Sequence, residues 1–387
     1  MNFEPLKQLM NQWTKTYNPG NAVEIYLNGE RVFKYAAGLK DVENNLRMSG
    51  NEHFFVYSCS KVATVTAAMQ LMEKGLFLPT DPLSAYLPEF KNMTVKTADG
   101  EIVPAKNPIL VGHIFDMTSG FTYNCQDLKN SALEAGRGMD TRNVIRCLAE
   151  KPLSFEPGEN FQYSLSHDVL ACLVEVVSGM KFRDYMRENI FDPLEMFDTA
   201  YHPTEKMQKN LAALYRFETD GAPEDLVEAQ KLGGMQKGKH VLQPAVNSFE
   251  FSPEYDSGGA GIVTTVSDYA KFAGALGNYG TAKNGARILS KAGIDLLRTT
   301  RVAHDTLPGW NWKQYKGYDY GFGVRVMADK SHGSLSNLGE FGWCGAAGSG
   351  VIADPKAGLG VFFAQHTLNP REDFYFPRLR NVIYACL

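Results

Sequence analysis

Two stretches near opposite ends of the chain carry the alternating apolar and polar pattern of β-strands, each interrupted by turn-forming residues. Residues 21–37, NAVEIYLNGERVFKYAA, alternate around Asn28 and Gly29, which form the strongest short signal for a β-hairpin. Residues 350–365, GVIADPKAGLGVFFAQ, have the same design. Between these ends, helical patterns predominate around residues 113–118, 139–150, 165–178 and 181–190. We therefore expect both ends of the chain to meet in one sheet.

A sheet built from both ends of the chain makes the middle of the chain an insertion. We predict an α/β fold in which residues 1–78 and 255–387 form a discontinuous domain, an antiparallel sheet flanked by helices. Residues 79–254 then form an inserted, mostly helical domain. A cleft where two domains join is a common place for an active site, and a helix that begins near residue 58 lies at this boundary.

The segment VYSCSKVA, residues 56–63, lies where a strand-like run gives way to that helix. Ser58 is therefore at the helix start, and a capping box would have Glu or Gln three residues later, where this chain has Lys61. An ammonium group in the first turn faces the positive end of the helix dipole, which costs up to about 1 kcal/mol. The apolar spacing predicts one buried face, formed by Val62, Val65, Met69 and Met72. Stability alone does not explain the lysine.

A catalytic function would explain it. Residues three apart share a helix face, so the Lys61 amine can reach the Ser58 hydroxyl. Apolar neighbours and the helix dipole disfavour the charged amine, and a neutral amine can take a proton from serine. The alternative is a capping serine followed by a solvated surface lysine, because an S-x-x-K pattern by itself is a weak signal.

Acyl transfer from a serine also needs a proton shuttle for the leaving group and two N–H donors for the oxyanion. Tyr163, in the loop before an apolar helix, is a candidate for the shuttle, since a phenol beside an ammonium can titrate toward phenolate. Residues 340–350, EFGWCGAAGSG, are candidates for the donors, because the next strand would leave the N–H of Ala346 at the cleft edge. The alternatives are a packing tyrosine and a glycine-rich turn.

These three pieces, SCSK at 58–61, YS at 163–164 and FGWCGAAGS near the C-terminus, resemble in this order the three motifs of the serine β-lactamase and penicillin-binding-protein superfamily. Phrases between them, such as FEPGENFQYS and GGAGIVTTVSDYAKF, are similar too. The resemblance implies a β-lactamase/transpeptidase-like fold and an acyl-enzyme on Ser58, with Lys61 and Tyr163 moving protons. It also implies that the backbone N–H groups of Ser58 and Ala346 hold the oxyanion, without a metal or cofactor.

Two departures from the superfamily pattern bear on the substrate. In class C β-lactamases and related peptidases the second motif is Tyr-x-Asn, whereas this chain has Leu165 in place of the asparagine. The third motif normally begins with Lys or His, and here it begins with Trp343 and ends with Gly345. The cation helps to hold a substrate carboxylate, a contact worth about 1.5–3 kcal/mol that tryptophan cannot make. A W-x-G motif resembles that of the β-lactamase-like, family VIII carboxylesterases, and predicts a substrate pocket lined by Trp343, Gly345 and Leu165.

The resemblance thus predicts a serine hydrolase that cleaves short-acyl carboxylic esters of small molecules. A β-lactamase, a D-amino-acid peptidase or an acyltransferase of the same superfamily is an alternative that uses the same chemistry. A non-catalytic, penicillin-recognition-like binding module is an alternative from a different class. Loss of Ser58, Lys61 or Tyr163 would have favoured the binding module, and all three residues are present.

Other features argue against competing interpretations. Ser166, His167 and Asp168 are adjacent on a predicted helix and cannot converge on one proton, and no G-x-S-x-G motif is present. A net charge of −4 and a glycine-diluted basic stretch at 231–240 argue against nucleic acid as a partner. No segment resembles a membrane span or a signal peptide, so we predict a cytoplasmic protein that does not bind membranes. Six scattered cysteines without a C-x-x-C pair argue against zinc and disulfides.

Overall fold

The computed structural model describes residues 1–16, 18–219 and 238–387. Most of the basic stretch at 231–240 lies outside these residues. The strands are β1 Gly20–Leu27, β2 Glu30–Asp41, β3 Leu46–Arg47, β4 His53–Phe55, β5 Thr94–Lys96, β6 Ile102–Pro104, β7 Tyr215–Thr219, β8 Gly238–Leu242, β9 Val263–Thr265, β10 Tyr318–Tyr320, β11 Arg325–Met327, β12 Phe341–Cys344, β13 Gly350–Asp354, β14 Leu359–Gln365 and β15 Thr367–Leu368.

The helices alternate with these strands and concentrate in the middle of the chain. They are α1 Glu4–Thr16, α2 Ser60–Glu73, α3 Val111–Phe115, α4 Cys125–Ala135, α5 Thr141–Ala149, α6 Ser166–Ser178, α7 Phe182–Met186, α8 Glu205–Lys209, α9 Val266–Gly277, α10 Lys291–Leu297 and α11 Glu372–Cys386. None of these described helices has both the length and the apolar composition that crossing a membrane requires.

Within the described residues, eight strands form one antiparallel sheet in the order β10-β11-β12-β13-β14-β1-β2-β3. The two ends of the chain meet where β1 pairs with β14, with Val23 opposite Phe363. The hairpin between β1 and β2 turns at Asn28 and Gly29, whose φ angles of 51° and 80° are the left-handed values that a tight hairpin turn needs. The predicted α/β fold, with an antiparallel sheet built from both ends of the chain, is confirmed.

Helices cover both faces of this sheet. On one face α1 and α11 pack against strand residues that include Val23 and Phe363. On the other face α9 lies across β1, β13 and β14. A Cβ at Gly360 would lie 2.3 Å from the carbonyl oxygen of Ala273, so the glycine allows α9 to approach β14 closely. Because both faces are covered, every residue of β13 and β14 is buried, in contrast to a sheet with one solvated face.

The segment between the two parts of the sheet contains α3 to α8. All eight strands of the large sheet lie within residues 1–78 and 255–387, and residues 79–254 also contain two antiparallel strand pairs, β5 with β6 and β7 with β8. Strand β7 pairs in parallel with β15, which ties this segment to the C-terminal part of the chain. The domain boundaries stay a prediction.

Helix α2 lies at the centre of the fold. The expected single buried face is wrong, because every residue from Ser60 to Met69 is buried. Helix α6 packs along it, and on another side the Thr64 hydroxyl donates to the Gly258 carbonyl at 2.6 Å. The first turn of α2, including Lys61, is therefore inside the protein.

His202 links two loops on the outside of this core. Its Nδ1 and Nε2 atoms each lie 2.9 Å from a carboxylate oxygen, of Glu250 and Asp256 respectively. Burial lowers the pKa of His202, but the hydrogen bonds to the two carboxylates outweigh burial and raise it to about 9. A folded-state pKa above the unfolded value means that these contacts stabilise the protein fully below about pH 6.5 and stop doing so as the pH rises through about 9.

We expect His202→Gln to lower the free energy of unfolding by about 2 kcal/mol at pH 6.5 and by much less at pH 10. Urea unfolding of both proteins at the two pH values measures this difference. His332→Gln is the matched control, because the His332 side chain is 48% exposed. A destabilisation by His202→Gln that is the same at both pH values would contradict the prediction.

Candidate active site

Ser58 lies on a 3₁₀ turn, Tyr57–Cys59, that leads directly into α2. Tyr57 has a φ of 43°, in the left-handed region that bulky residues rarely adopt and that costs about 1–3 kcal/mol. The surrounding structure holds this conformation, since the Tyr57 ring packs edge-on against Phe249. The backbone therefore turns sharply before Ser58, whose side chain is partly exposed while Tyr57 and Cys59 are buried.

Lys61 is fully buried, so the alternative of a solvated surface lysine is wrong. Its Nζ lies 3.4 Å from the Ser58 Oγ, 3.3 Å from the Tyr123 hydroxyl oxygen and 2.8 Å from the Gly259 carbonyl oxygen. Burial lowers the pKa of Lys61 to about 8, although the carboxylate of Asp168 opposes the shift. A substantial fraction of the amine is therefore neutral near pH 8.

Tyr163 lies beside the amine, with the centroid of its ring 4.6 Å from the Lys61 Nζ. The indole Nε1 of Trp343 donates to its hydroxyl at 3.0 Å. Burial raises the pKa of Tyr163 above its usual range, and hydrogen bonds with Ser58 and Trp343 offset only part of that effect. The predicted titration toward phenolate is therefore wrong for the resting site, in which Tyr163 keeps its proton and can donate it.

The turn after β12 packs against the segment that carries the nucleophile. The Ser349 hydroxyl donates to the Val56 carbonyl at 3.1 Å and so joins the two segments. Ala346, at the tip of this turn, is exposed, and neither its N–H nor that of Ser58 donates a hydrogen bond within the described residues. Two free N–H donors on adjacent segments are what an oxyanion hole requires. Their joint role stays a prediction.

The three residues predicted to line the substrate pocket are placed differently. Leu165 is 1% exposed and points into the hydrophobic core where the chain turns into α6, so the prediction is wrong for this residue. Gly345 is also buried, and a Cβ there would lie 2.2 Å from the Val56 carbonyl oxygen, so the glycine permits close backbone packing, and its place in a substrate pocket stays a prediction. Trp343 is 2% exposed and stacks on Tyr163 at 5.6 Å, so it positions that phenol and offers little surface to a substrate.

Tyr123 is a site residue that the sequence did not reveal. Its ring stacks on that of Tyr163, with 5.5 Å between centroids and 11° between planes. Its hydroxyl oxygen is the one that lies 3.3 Å from the Lys61 Nζ, and burial raises its pKa. It stands in a loop two residues before α4, where no periodic pattern distinguishes it from a packing tyrosine. Two protonated phenols therefore face one buried amine.

The adjacent residues Ser166, His167 and Asp168 do not converge, as the sequence predicts. The Ser166 hydroxyl shares a hydrogen bond with that of Ser119 at 2.8 Å. The His167 Nε2 lies 3.1 Å from the Phe115 carbonyl oxygen. These contacts point in different directions, so the three residues pack the first turn of α6 and do not form a triad.

Asp168 nevertheless belongs to the site, which the sequence did not show. Its Oδ1 accepts hydrogen bonds from the hydroxyls of Tyr255 and Ser257, both at 2.8 Å. A Cβ at Gly259 would lie 2.6 Å from the Asp168 Oδ2 and 3.2 Å from the Lys61 Nζ. The carboxyl group and the amine thus share the narrow space beside Gly259. The charge of Asp168 keeps the pKa of Lys61 higher than burial alone would leave it.

Aromatic side chains surround these groups. Tyr123 packs edge-on against Phe249 at 5.8 Å, and Trp312 packs against Tyr163 at 5.7 Å. In the described part of the chain, no three His, Cys, Asp or Glu side chains are grouped as a metal ion would need. The site therefore combines a nucleophile, a buried amine and two phenols in an apolar, aromatic surround.

Cys59 stands next to Ser58 and could in principle compete as the nucleophile, since thiolates form readily near helix N-termini. It is fully buried, its Sγ lies 3.3 Å from the Ser349 Oγ, and burial raises its pKa to about 12. We therefore expect Cys59→Ala to retain activity within about 3-fold and to form the acyl adduct on Ser58. Peptide mass spectrometry locates the adduct, with Ser58→Ala as the control. An acyl group found on Cys59 in the wild type would overturn this expectation.

A serine and a lysine three residues apart at the start of the central helix, with a tyrosine beside the amine, are the groups of a serine β-lactamase-like site. A family model described as Beta-lactamase matches residues 6–383, and the chain belongs to that family.

The chain is also similar to individual relatives and to a solved structure over most of its length. Protein Rv1367c from Mycobacterium tuberculosis is 28% identical over 340 residues, which cover 83% of this chain and 79% of the relative. Esterase EstB from Burkholderia gladioli is 28% identical over 390 residues, which cover 95% of this chain and 91% of the relative. A solved structure of EstCE1, described as a hydrolase with promiscuous acyltransferase activity, matches with a TM-score of 0.75 and 24% identity over 98% of both chains. This last likeness shows the β-lactamase/transpeptidase-like fold.

Proposed function

We propose that this protein is a serine hydrolase that cleaves short-acyl carboxylic esters of small molecules through an acyl-enzyme on Ser58. The observation that carries the proposal is the buried amine of Lys61, 3.4 Å from the Ser58 Oγ. Burial disfavours the charged form of this amine, and the nearby carboxylate of Asp168 offsets that cost only in part. A neutral general base avoids that cost. The likeness to Esterase EstB supports an ester as the substrate.

In the acylation step the Ser58 Oγ attacks the carbonyl carbon of the ester, and its proton passes to the neutral Lys61 Nζ. The backbone N–H groups of Ser58 and Ala346 hold the negative charge that develops on the carbonyl oxygen. The tetrahedral intermediate then collapses as its C–O bond to the alcohol breaks. The leaving oxygen takes a proton from the Tyr163 hydroxyl, which recovers one from the Lys61 ammonium. The products are an acylated serine, a free alcohol and a neutral amine.

Deacylation repeats these steps with water as the nucleophile. Water attacks the acyl carbon, its proton passes to Lys61, and the Ser58 oxygen leaves with a proton returned through Tyr163. The carboxylic acid is released. If an alcohol replaces water, the same steps transfer the acyl group to that alcohol, so acyl transfer needs no further residues.

The site draws on both predicted parts of the chain. Ser58 and Lys61 precede residue 79, while Tyr163 belongs to the inserted segment 79–254. Because each part contributes groups that the other lacks, we propose that the site occupies the cleft between the discontinuous sheet domain and the insertion.

The alternatives predict other features at this site. A β-lactamase or a D-amino-acid peptidase uses a cation to hold the substrate carboxylate, and Trp343 stands at that position in the third motif. A binding module without activity has no need for a buried lysine against its serine with a pKa lowered to about 8. The geometry therefore favours hydrolysis of neutral esters.

A fluorophosphonate probe is expected to label the folded protein at Ser58, at a rate that rises as the pH passes about 8 and Lys61 loses its proton. Peptide mass spectrometry identifies the labelled residue, and Ser58→Ala is the unlabelled control. Folded wild-type protein that does not react would support the binding module. Hydrolysis rates over a panel of esters, lactams and D-amino peptides then define the substrate.

A further inference from the structure

A second cavity, of about 310 Å³, lies away from Ser58 between the turn Lys313–Tyr315, the turn Lys330–His332 and helix α11. None of the groups assigned to ester hydrolysis lines it. Four basic side chains and one acidic side chain do, namely those of Lys313, Lys316, His332, Arg380 and Asp373. The acidic one is already engaged, because Arg371 donates to Asp373 from its Nε at 3.1 Å. The cavity is therefore surrounded by an excess of positive charge.

Arg380 is the arginine in this wall, and it makes no direct contact with a carboxylate, although the carboxyl group of Glu372 is near enough to interact with its charge. It is 3% exposed, and no carboxylate in the described residues forms an ion pair with it. Its Nε and Nη1 atoms have no hydrogen-bond acceptor among those residues. The guanidinium lies over the rings of Tyr318 and Phe376, 4.8 Å and 4.9 Å from their centroids. Aromatic faces attract a cation but supply no acceptor in the plane of its N–H groups.

A neighbouring arginine shows how the same environment is completed elsewhere. Arg325 lies over the same two rings, at 4.9 Å and 5.7 Å, and is fully buried. Its Nη1 donates to both oxygens of Glu340, at 2.8 Å and 3.0 Å. The two guanidinium groups thus share their aromatic neighbours, but only Arg325 has a carboxylate. A buried cation without a directly bonded anion is costly, so an anion that reached Arg380 from the cavity would be stabilised there.

We propose that this cavity binds a small phosphate-class oxyanion, free or as the head of a small molecule. The fork of Arg380 N–H donors suits a tetrahedral oxyanion, and a phosphate oxygen provides the acceptor that the guanidinium lacks. Lys313 and Lys316 are exposed at the cavity wall and form no ion pair within the described residues, so they add charge to hold a divalent anion. The volume admits an anion that carries a small organic group.

Isothermal titration of the protein with inorganic phosphate tests the proposal, at constant ionic strength with chloride as the balancing anion. We expect saturable binding to one site. The double variant Lys313→Gln/Lys316→Gln should weaken the dissociation constant at least about 10-fold, and Arg380→Met should remove binding. Lys206→Gln/Lys209→Gln on α8 is the matched control, since it removes the same charge and neither residue lines the cavity.

Three results would overturn the proposal: no saturable binding by the wild type, equal weakening by both double variants, or acetate that competes as well as phosphate at equal concentration. If Arg380→Met does not fold, the exposed lysine pair carries the test, because neither residue is part of the core. Arg380→Lys then adds a variant that keeps the charge and loses the fork, and binding at least about 10-fold weaker than wild type is expected from it.

Discussion

Replacing Lys61 with alanine is expected to lower kcat/KM for an aryl ester by at least about 10²-fold while the protein stays folded. The reason is that this amine is the group placed to take the serine proton, 3.4 Å from the Ser58 Oγ. Its remaining polar contacts are hydrogen bonds to the Gly259 carbonyl and the Tyr123 hydroxyl, which the fold can lose without losing its core.

The pH dependence of kcat/KM is a second test of the role of Lys61 as the base. Because burial lowers the pKa of Lys61 to about 8, the neutral and active form of the amine accumulates as the pH rises through that value. Wild-type kcat/KM should therefore increase with pH up to about 8 and then level off, and the residual activity of Lys61→Ala should lack this inflection.

Two variants serve as controls for the lysine substitution. Lys74→Ala changes an exposed lysine just beyond the end of the same helix and should keep wild-type activity. Lys61→Met fills most of the space of the original side chain, so a loss of activity in that variant is not due to a cavity. Circular dichroism and thermal unfolding check the fold of each protein. Turnover by Lys61→Ala close to that of the wild type would exclude the proposed mechanism.

The parts of the fold that the sequence predicted are those fixed by local patterns. Asn28 and Gly29 supply the two left-handed backbone conformations of a hairpin turn, so the β1–β2 pair follows from a short stretch of sequence. The apolar pattern predicts a helix over residues 165–178, and α6 spans Ser166–Ser178. The helix ends there because Gly179 adopts a left-handed φ of 73°. In both places the residues that define the element also define its ends.

The parts that the sequence missed depend on residues brought together from distant segments. A cation beside Tyr163 favours the phenolate, but the complete burial of the site, which the sequence does not reveal, favours the neutral phenol. The place of Leu165 in the motif predicts a position in the pocket, whereas the turn into α6 directs its side chain to the core. The position of a residue in a motif predicts which segment of the fold it belongs to better than it predicts the direction of its side chain.

Asp168 is a second residue whose environment the sequence does not predict. The sequence excludes it from a triad with Ser166 and His167, because neighbours on a helix diverge. Its actual environment is set by Gly259, about ninety residues away in the chain, which leaves the space that Asp168 and Lys61 share. The residue spacing around Asp168 and around Gly259 does not predict that these two segments lie together.

Ester and lactam substrates should differ strongly at this site. We expect kcat/KM for a short-chain aryl ester to exceed that for any penicillin or cephalosporin by at least about 10²-fold, because one charged contact of about 2.7 kcal/mol to the lactam carboxylate is absent. Leu165 is in the core, and Trp343 stands where related enzymes have the cation. Arg325 is the cation on a nearby strand that could have replaced it, but it is fully buried and bound to Glu340.

The test compares an aryl butyrate, the chromogenic cephalosporin nitrocefin, and a penicillin beside its own methyl ester. The site lacks a cation to bind the penicillin carboxylate, and the methyl ester of penicillin has no carboxylate charge there. Opening of the lactam ring should therefore be at least as fast for the methyl ester as for the free acid. A site that held the carboxylate would show the opposite order. Equal kcat/KM for nitrocefin and the aryl butyrate would mean that another cation reaches the substrate and that lactams belong among the natural substrates. If the aryl butyrate is cleaved fast and both the penicillin and its methyl ester are turned over equally slowly, the selectivity is due to the lactam ring and not to the carboxylate charge.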